Sequence, residues 1–337
     1  MNTQINVGLL AYGMSGKVFH APFVSTHPGF KLHGVLERNK KQAVADYPGT
    51  ISYHTIDDLL ADETIDLVIV NTPNYTHFEY AKKALNAGKH ILVEKPFTAT
   101  SAQAKEIFEL AKKVGKQALV YQNRRYDSGF NAVKNIIESG VLGHLVEVHF
   151  RFDRYRNEIG PKLFKEEPFE ASGLLYDLGP HLVDQAICLF GKPEKYYKVL
   201  SKNRVGTKVD DFFSIQLTYS NGLNVFLIAS MLVADSKDAF ILNGMNGSFS
   251  KPHADVQETQ LLKGIKPTAA NYGIEDINDL GKLTVINQTG EKQISKVKAN
   301  KGDYTGLFEA VYQSIINNNP FPITEEEILV QLEILES

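Results

Sequence analysis

The sequence predicts an α/β protein: an N-terminal Rossmann domain, built on a doubly wound parallel sheet, followed by a C-terminal α/β domain with a large, mainly antiparallel open sheet. In the first third of the chain, short apolar runs alternate with segments of helical periodicity, which is typical of βαβ units. Beyond about residue 123 the strand-like runs are longer, richer in aromatic residues and alternating in polarity. The length of 337 residues also suggests two domains, which we place at 1–122 and 123–337.

Five apolar runs in the first domain are expected to be buried parallel strands. In chain order they read INVGLL, FKLHGVL, IDLVIVN, HILVE and ALVYQ. Two segments between them, YTHFEYAKKALNAG and TSAQAKEIFELAKKVGK, have helical periodicity and end in Gly88 and Gly115, which are placed like C-terminal caps. Because ligands of such a sheet bind at the carboxyl ends of its strands, the loops after these runs are candidate site loops.

The second domain contains three aromatic-rich runs that predict antiparallel strands, LVEVHFRFDRY, DDFFSIQLTY and LNVFLIAS. The pair Asn221-Gly222 between the last two is a strong hairpin signal. One apolar helix lies near GLLYDLGPHLVDQAICLF. Pro180 suggests that this helix starts there, in which case Asp177 precedes the helix and caps it. The helices should cover one face of the sheet and a second subunit the other.

Composition and charge disfavour several functional classes. A formal net charge of -3 offers no electrostatic reason to bind nucleic acid or an anionic membrane, and the apolar runs are too short to span a bilayer. The N-terminus lacks the basic-then-apolar pattern of a secretory signal. The single cysteine, Cys188, lies in the apolar stretch AICLF and indicates a packed thiol in a reducing, cytoplasmic compartment.

The first strand runs into AYGMSG, which is close to the dinucleotide-binding pattern G-x-G-x-x-G but has Ala11 at the first position. Gly13 keeps the place where backbone approaches a pyrophosphate, and Gly16 the place where the helix packs closely on the strand. Alanine is acceptable at the first position if its φ is negative. Pro22 predicts that the following helix is kinked or begins anew. The alternative interpretation is an ordinary strand–turn–helix.

The second strand ends in GVLERNKK, where two cofactor preferences conflict. Glu37 lies 21 residues after Gly16, near the position at which an acidic residue binds the ribose diol of NAD. Arg38 and Lys41 are basic and would accommodate the phosphate of NADP. The alternative is a solvated charged turn.

Two further stretches carry residues suited to catalysis. HILVEKPFTAT places Glu94, Lys95 and Pro96 after a buried strand, where the lysine ammonium could stabilise a developing alkoxide and Glu94 could orient it. A Lys-Pro bond also permits a cis peptide. The alternative is a surface lysine that ends a strand.

GLLYDLGPHLVDQ spaces Asp177, His181 and Asp184 at i, i+4 and i+7, which share one face if all three are helical. Histidine is well suited to exchange a hydroxyl proton near neutral pH. A metal site made of these three residues is an alternative that we disfavour, because nothing else clusters with them.

Polar and basic stretches supply candidate binding residues. NTPNYTH follows the strand IDLVIV and can line a cofactor crevice, cap the next helix from Asn74 or Thr76, or do both. NRRYD and RFDRYRNE mix arginine with tyrosine, a combination that suits a polyhydroxylated or anionic small molecule. Surface ion pairs are the alternative for most of these residues.

Together these motifs resemble the Gfo/Idh/MocA family of NAD(P)-dependent oxidoreductases over nearly the whole chain. AYGMSG resembles its cofactor loop, NTPNYTH its second crevice loop, EKP its lysine motif and GLLYDLGPHLVD its histidine motif. Within the family, GMSGKVFHAPF, YQNRRYD, RYR and GLLYDLG look like the NADP-dependent scyllo-inositol dehydrogenases.

The resemblance implies a set of site residues. Lys95 and His181 would be the catalytic pair, with Asp177 as a substrate or orienting contact. A polyol or sugar would contact Lys95, Arg124, Tyr155, Asp177 and His181. The cofactor, NAD(P), would be NADP by resemblance, with NAD kept open by Glu37. It would contact Ala11, Gly13, Met14, Ser15, Gly16, Glu37, Arg38, Lys41, Asn71, Thr72, Pro73, Asn74, His77, Glu94, Lys95 and Asn123.

The expected activity is hydride transfer between a nicotinamide and a secondary alcohol of a cyclic polyol or sugar. In the family the open sheet forms the subunit interface, so a homodimer or homotetramer is expected. Two alternatives stay open: a redox-neutral glycosidase that uses tightly held NAD, and a non-enzymatic dinucleotide-binding regulator. The presence of both Lys95 and His181 argues against the regulator, which does not need them.

Overall fold

A computed structural model of the chain describes residues 4–37, 39 and 41–336. Its α-helices are α1 (Ala21–Thr26), α2 (Gln42–Asp46), α3 (Ile56–Ala61), α4 (His77–Asn86), α5 (Ser101–Val114), α6 (Ser128–Glu138), α7 (Leu163–Glu166), α8 (Gly173–Phe190), α9 (Gln257–Leu262), α10 (Thr305–Asn317) and α11 (Glu325–Glu336). Its strands are β1 (Ile5–Leu9), β2 (Phe30–Leu36), β3 (Ile51–Tyr53), β4 (Leu67–Val70), β5 (His90–Glu94), β6 (Ala118–Tyr121), β7 (Leu145–Asp153), β8 (Lys195–Ser201), β9 (Phe212–Thr218), β10 (Asn224–Ser230), β11 (Phe240–Gly244), β12 (Gly247–Lys251), β13 (Gly281–Ile286) and β14 (Lys292–Val297).

The first sheet is parallel throughout and has the strand order β3-β2-β1-β4-β5-β6. The five predicted strands are confirmed as β1, β2, β4, β5 and β6. The chain winds outward in both directions from β1, which places the topological switch point at the carboxyl ends of β1 and β4. Strand β3 is not predicted from the sequence, because it is three residues long and lacks a buried apolar run.

The helix after the glycine loop is broken in the way that Pro22 predicts. Residues Gly16–His20 form a π-helical turn, and α1 then begins at Ala21 with Pro22 in its first positions. Proline is tolerated there because the N–H that it lacks would have no partner within the helix. Farther along, Gly115 ends α5 in the left-handed conformation, with φ of 67°, as a C-terminal cap.

The second sheet has the order β14-β13-β12-β11-β7-β10-β9-β8 and is antiparallel apart from the β7–β10 pair. The predicted hairpin joins β9 to β10, with Gly222 at a φ of 88°. Helix α8 packs against one face, over β10, β9 and β7. On the other face Phe226, Ile228 and Ile241 are only partly buried.

Helix α8 begins earlier than Pro180 suggests, so the prediction that Asp177 precedes and caps it is wrong. The helix starts at Gly173 and contains Pro180 in its interior. Its beginning is held by Asp210, whose Oδ2 accepts the backbone N–H of Leu175 at 2.6 Å and whose carbonyl accepts that of Leu174 at 3.0 Å. This contact, 35 residues away in sequence, outweighs the local preference of proline for a helix start. Cys188, near the end of α8, is only partly buried.

The chain divides into two compact units, each built from three segments. Unit 1 comprises Met1–Asn123, Gln257–Tyr272 and Asp303–Leu329, and unit 2 comprises Arg124–Val256, Gly273–Gly302 and Val330–Ser337. The sequence-based division assigned the two later segments of unit 1 to the second domain. They belong to unit 1 because their aromatic side chains share its core: Phe23 stacks on Phe308 with ring centroids 5.1 Å apart and also contacts Tyr272 and Tyr304.

Candidate active site

The first βα loop meets the conditions that a dinucleotide-binding loop requires. Among the described residues, the only non-glycine positions with positive φ are Ala171 and Asn318, so Ala11 has the negative φ that alanine needs. A Cβ on Gly16 would lie 2.1 Å from the carbonyl oxygen of Ala11, whereas a Cβ on Gly13 would meet nothing within 4 Å. Gly16 is therefore required by close packing, and Gly13 borders open space.

Asn71, in the loop that follows β4, forms two hydrogen bonds with this loop. Its Oδ1 accepts the backbone N–H of Ala11 at 3.0 Å, and its Nδ2 donates to the carbonyl oxygen of Ala11 at 2.9 Å. Both polar groups of the buried amide are thus used to hold the first position of the loop. The two hydrogen bonds explain how the loop keeps its shape without a first glycine.

A groove of about 630 Å³ lies at the carboxyl ends of β1, β2 and β4, at the switch point of the sheet. Its lining includes the predicted cofactor residues Ala11, Glu37, Thr72 and Pro73. The position and size of the groove suit a nucleotide. Lys41 is exposed at the start of α2, and Arg38 lies outside the described residues.

Glu37 is buried at the end of β2 and contacts the start of α2. Its Oε1 accepts the backbone N–H of Gln42 at 2.9 Å, and its Oε2 accepts that of Ala43 at 3.2 Å. A carboxylate at a helix N-terminus satisfies N–H groups that have no partner within the helix and interacts favourably with the helix dipole. Both carboxylate oxygens of Glu37 therefore have partners within the protein.

Glu94, the last residue of β5, connects three parts of unit 1. Its Oε1 accepts the Ser15 hydroxyl at 2.7 Å and contacts His20 Nε2 at 2.9 Å, while its Oε2 accepts the backbone N–H of Lys95 at 3.2 Å. The His20 ring is fully buried and packs on Tyr121 with ring centroids 4.5 Å apart. The carboxylate thus fixes the glycine loop, the π-helical turn and the start of the Lys95 loop together.

These contacts keep the Glu94 carboxyl ionised. Burial raises the pKa of its carboxyl, but the hydrogen bond and charge of His20, the charge of Lys95 and the Ser15 hydroxyl outweigh burial and lower the pKa to about 2. Glu94 therefore stays ionised throughout the neutral range.

We expect Glu94 to contribute stability that depends on pH. A carboxyl with a lowered pKa in the folded state stabilises the fold above its ordinary pKa of 4.5, and this contribution is lost as the pH falls toward about 2. The difference in free energy of unfolding between the wild type and Glu94→Gln should therefore shrink over that interval in urea titrations. Exposed Glu109 on α5 offers a control, since Glu109→Gln should leave the pH profile unchanged. A Glu94→Gln difference that is constant with pH would contradict the assignment.

His77, predicted to contact the cofactor, is instead fully buried at the start of α4. Its Nδ1 contacts the carbonyl oxygen of Pro96 at 2.7 Å, and its Nε2 contacts that of Thr72 at 2.9 Å. Burial lowers the pKa of His77 more than these two carbonyls raise it. The ring joins the loops after β4 and β5, so it can act on a ligand only by positioning them. The Lys95-Pro96 peptide bond between β5 and this contact is cis.

In unit 2, His181 is buried on α8 and lines a cavity of about 20 Å³ with Arg124, Asp127 and His253 among its neighbours. Asp184, one turn later, is fully engaged: Arg125 Nε and Nη2 each donate to one of its carboxylate oxygens at 2.8 Å. Asp184 is therefore a structural ion-pair partner. The described residues contain no group of three or more metal-ligating side chains that could hold an ion.

Asp177 lies one turn before His181 and lines a second, larger cavity of about 310 Å³. Its Oδ1 accepts a hydrogen bond from Lys165 Nζ at 2.6 Å, and Arg154 Nη1 lies 3.8 Å from its Oδ2. Tyr155 is 63 % exposed and does not line this cavity. Lys95 and Asn123 belong to unit 1, whereas Arg124, Asp177 and His181 belong to unit 2.

Sequence reasoning missed three residues that shape these sites: His20, Lys165 and Asp210. His20 lies within GKVFHAPF, but no spacing rule connects it with Glu94, which is 74 residues away. Lys165 lies on the short helix α7 and Asp210 in the loop between β8 and β9. Nothing in the sequence indicates that both contact residues of α8. Only the tertiary structure shows these partnerships.

The comparisons with known proteins agree with this architecture. The Gfo/Idh/MocA model of an oxidoreductase family with an NAD-binding Rossmann fold matches residues 5–122, and a model of the Gfo/Idh/MocA C-terminal domain matches residues 130–250. The chain belongs to the Gfo/Idh/MocA family of oxidoreductases. It is thus an enzyme of the oxidoreductase class that uses a nicotinamide cofactor.

Individual relatives cover nearly the whole chain. An uncharacterized oxidoreductase of Schizosaccharomyces pombe is 38% identical over 99% of this chain and 96% of its own length. The scyllo-inositol 2-dehydrogenase (NADP(+)) IolW of Bacillus subtilis is 31% identical over 99% of this chain and 92% of its own. A crystal structure of a Bacteroides fragilis protein has a TM-score of 0.89 at 41% identity, over 99% of this chain and 96% of that one. No helix in the described part of the chain has the length and apolar character that crossing a membrane requires.

Proposed function

We propose that the protein is an NADP-dependent dehydrogenase that transfers a hydride between the nicotinamide and a secondary alcohol of a cyclic polyol or sugar. The observation that carries the proposal is the position of Lys95, which directly follows β5 at the carboxyl edge of the parallel sheet, where the groove of unit 1 also lies. Similarity to a scyllo-inositol dehydrogenase over nearly the whole chain supports the same function. We infer that residues 1–122, together with Asn123, hold the cofactor and that the rest of residues 123–337 holds most of the substrate.

The loop from Ala11 to Gly16 would hold the cofactor pyrophosphate, because Gly13 borders open space and Gly16 and Asn71 fix the loop. Met14, Ser15, Thr72, Pro73, Asn74, Glu94, Lys95 and Asn123 are the further contacts that we propose. When bound, the nicotinamide supplies the site that accepts or donates hydride. The remaining chemistry, orientation and proton transfer, belongs to the side chains of the protein.

During oxidation of the alcohol, a ring nitrogen of His181 takes the hydroxyl proton, since histidine exchanges protons readily near neutral pH. The ammonium of Lys95 donates a hydrogen bond to the same oxygen and stabilises the negative charge that develops on it. Asp177 accepts a hydrogen bond from a second hydroxyl and orients the ring. In the reverse direction, His181 returns the proton to the oxygen.

We propose NADP rather than NAD because of the partners of Glu37. Its carboxylate oxygens accept the backbone N–H groups of Gln42 and Ala43, so the acidic group that would bind the ribose diol of NAD is already hydrogen-bonded within the protein. Arg38 and Lys41 next to it would then accept the phosphate of NADP. The name of the Bacillus subtilis relative points to the same cofactor. A larger kcat/KM with NAD would contradict this preference.

We also propose that the protein is a cytoplasmic homodimer or homotetramer. Support comes from the outer face of the eight-stranded sheet, where Phe226 and Ile228 are partly buried and Tyr197 of β8 is 69 % exposed. A second copy that covered this face would bury these side chains. Sedimentation equilibrium should show two or four chains, and a species of 37.6 kDa would contradict the proposal.

The proposed function is tested by following reduced-nicotinamide absorbance while the protein is mixed with NADP or NAD and a panel of inositols and aldoses. We expect turnover with at least one member, a higher kcat/KM with NADP, and a loss of about 10²- to 10⁴-fold in kcat for His181→Ala. Exposed His144 provides the matched control, because His144→Ala should retain full activity.

Two results would overturn the proposal. Retained cofactor, cleavage of a glycoside and no net reduction would identify a redox-neutral glycosidase. Cofactor binding without turnover of any polyol, sugar or glycoside would identify a dinucleotide-binding regulator.

A further inference from the structure

The larger cavity of unit 2 has an unusual charge balance. It is lined by five cationic side chains but only three carboxylates. The cations are Arg154, Arg156, Lys162, Lys165 and Arg204, and the carboxylates are Glu166, Asp177 and Asp210. With a volume of about 310 Å³, the cavity has room for a small polar ligand.

Part of this charge is already neutralised within the fold. Buried Arg204 pairs with Glu166 at 2.8 Å and with Asp211, outside the cavity, at 3.3 Å. Asp210 accepts the backbone N–H of Leu175 at the start of α8. Glu166 therefore has an ion-pair partner, and Asp210 accepts a backbone hydrogen bond.

The remaining lining residues include four cations and two carboxylates, Asp177 and Asp210, because a backbone hydrogen bond leaves the charge of Asp210 in place. Lys165 and Arg154 share Asp177, at 2.6 Å and 3.8 Å. Arg156 forms no ion pair with any carboxylate in the described part of the chain. The residues that line the cavity thus carry a formal net charge of +2, from five cations and three carboxylates.

The backbone of the RYR stretch is hydrogen-bonded at both of its arginines. Arg154 donates its N–H to the carbonyl oxygen of Ser230 at 2.9 Å, and Arg156 donates its N–H to that of Met231 at 2.7 Å. Alternate residues of an extended segment project to the same side, which is why both side chains line the cavity and Tyr155 does not. The Arg154 guanidinium also stacks over Phe152, 4.8 Å from the ring centroid.

We propose that the substrate carries an anionic group, a carboxylate or a phosphate, which Arg154 and Arg156 bind while Asp177 contacts its hydroxyls. This inference rests on the proposed function and narrows its substrate class from neutral polyols to acidic ones. Guanidinium groups present planar pairs of donors that match the oxygens of a carboxylate or phosphate. A carboxylate or phosphate would pair with these cations, whereas a neutral polyol offers no charge that matches the positive lining.

The test compares matched substrates that differ in charge: glucose with glucuronate and glucose 6-phosphate, and myo-inositol with its monophosphate. For at least one pair, kcat/KM should be about 10-fold or more higher for the anion. Arg156→Gln should lower kcat/KM for that anion about 10- to 100-fold and for its neutral partner less than 3-fold. Lys296→Gln on β14 removes an exposed charge of the same sign in the same unit and should change neither. Comparing the uronate pair with the phosphate pairs shows whether the site binds a carboxylate or a phosphate.

A second measurement is independent of turnover. Calorimetric titration of the protein with inorganic phosphate and with glucuronate should show saturable binding of at least one, weakened at least 10-fold in Arg156→Gln. If no compound is turned over but this binding is present, the proposed function fails and the anion site stands. If neutral and anionic substrates react equally well, or Arg156→Gln affects both equally, or neither anion binds, the inference is overturned.

Discussion

Replacing Lys95 with alanine should lower kcat by about 10²- to 10⁴-fold, the range for losing a donor that stabilises a developing alkoxide or assists its proton transfer. The lysine directly follows β5, and its backbone N–H is held by the ionised carboxylate of Glu94. That contact starts the Lys95 loop in one defined position. The measurement is the initial rate at saturating substrate, followed by nicotinamide absorbance.

The Lys95 result needs two comparisons. Lys113→Ala removes an exposed lysine of α5 and should leave kcat unchanged. Calorimetric titration of Lys95→Ala with NADP should show a Kd that rises far less than kcat falls, because Lys95 is one of many proposed contacts and the pyrophosphate loop is held by Gly16 and Asn71. A kcat within about 3-fold of the wild type would remove Lys95 from the mechanism.

The combination of Lys95→Ala with His181→Ala is more informative than either change alone. Residues that act on one oxygen as a unit have strongly non-additive effects. The kcat of the double variant should therefore be about the same as that of the less active single variant. If the two losses multiply, Lys95 and His181 act in independent steps.

The second large effect is expected from the two glycines of the loop, whose substitutions should fail in opposite ways. In Gly16→Ala, the new methyl group would lie 2.1 Å from the carbonyl oxygen of Ala11 and 3.0 Å from Asn71 Nδ2. Backbone must shift to relieve such a contact, so the free energy of unfolding should fall by about 1–3 kcal/mol or more. Cofactor binding should fall with it, because the same shift breaks the contacts between Asn71 and Ala11.

In Gly13→Ala the new methyl group meets no atom of the protein within 4 Å, so the free energy of unfolding should stay nearly unchanged. The methyl group would instead project into the space that we assign to the pyrophosphate, and the Kd for NADP should rise at least 10-fold. Urea denaturation and calorimetric titration of both variants distinguish the two roles. A Gly13→Ala protein with normal NADP affinity would show that the cofactor does not approach this loop.

The parallel sheet and the identity of its loops could be predicted from the sequence because the relevant signals are local. Strands such as β4, buried on both faces, read as uninterrupted apolar runs. Pro22 and the Asn221-Gly222 pair report backbone geometry directly, and both predictions are confirmed. The short strand β3, together with β8 and β11–β14 of the second sheet, carries a weaker pattern and was not predicted.

The candidate site also combines features that have a local sequence signal with features that have none. The sequence alone identifies the glycine loop after β1, Lys95 after β5, and the i, i+4 spacing of Asp177 and His181. It could not determine their partners, because hydrogen bonds and ion pairs join groups that are distant in the chain. The tertiary structure alone decided that α8 starts at Gly173, held by Asp210, and that the carboxylate of Glu37 is hydrogen-bonded at α2. It likewise decided that the charge around Asp177 is positive, since charge balance in a cavity is a sum over residues that only folding brings together.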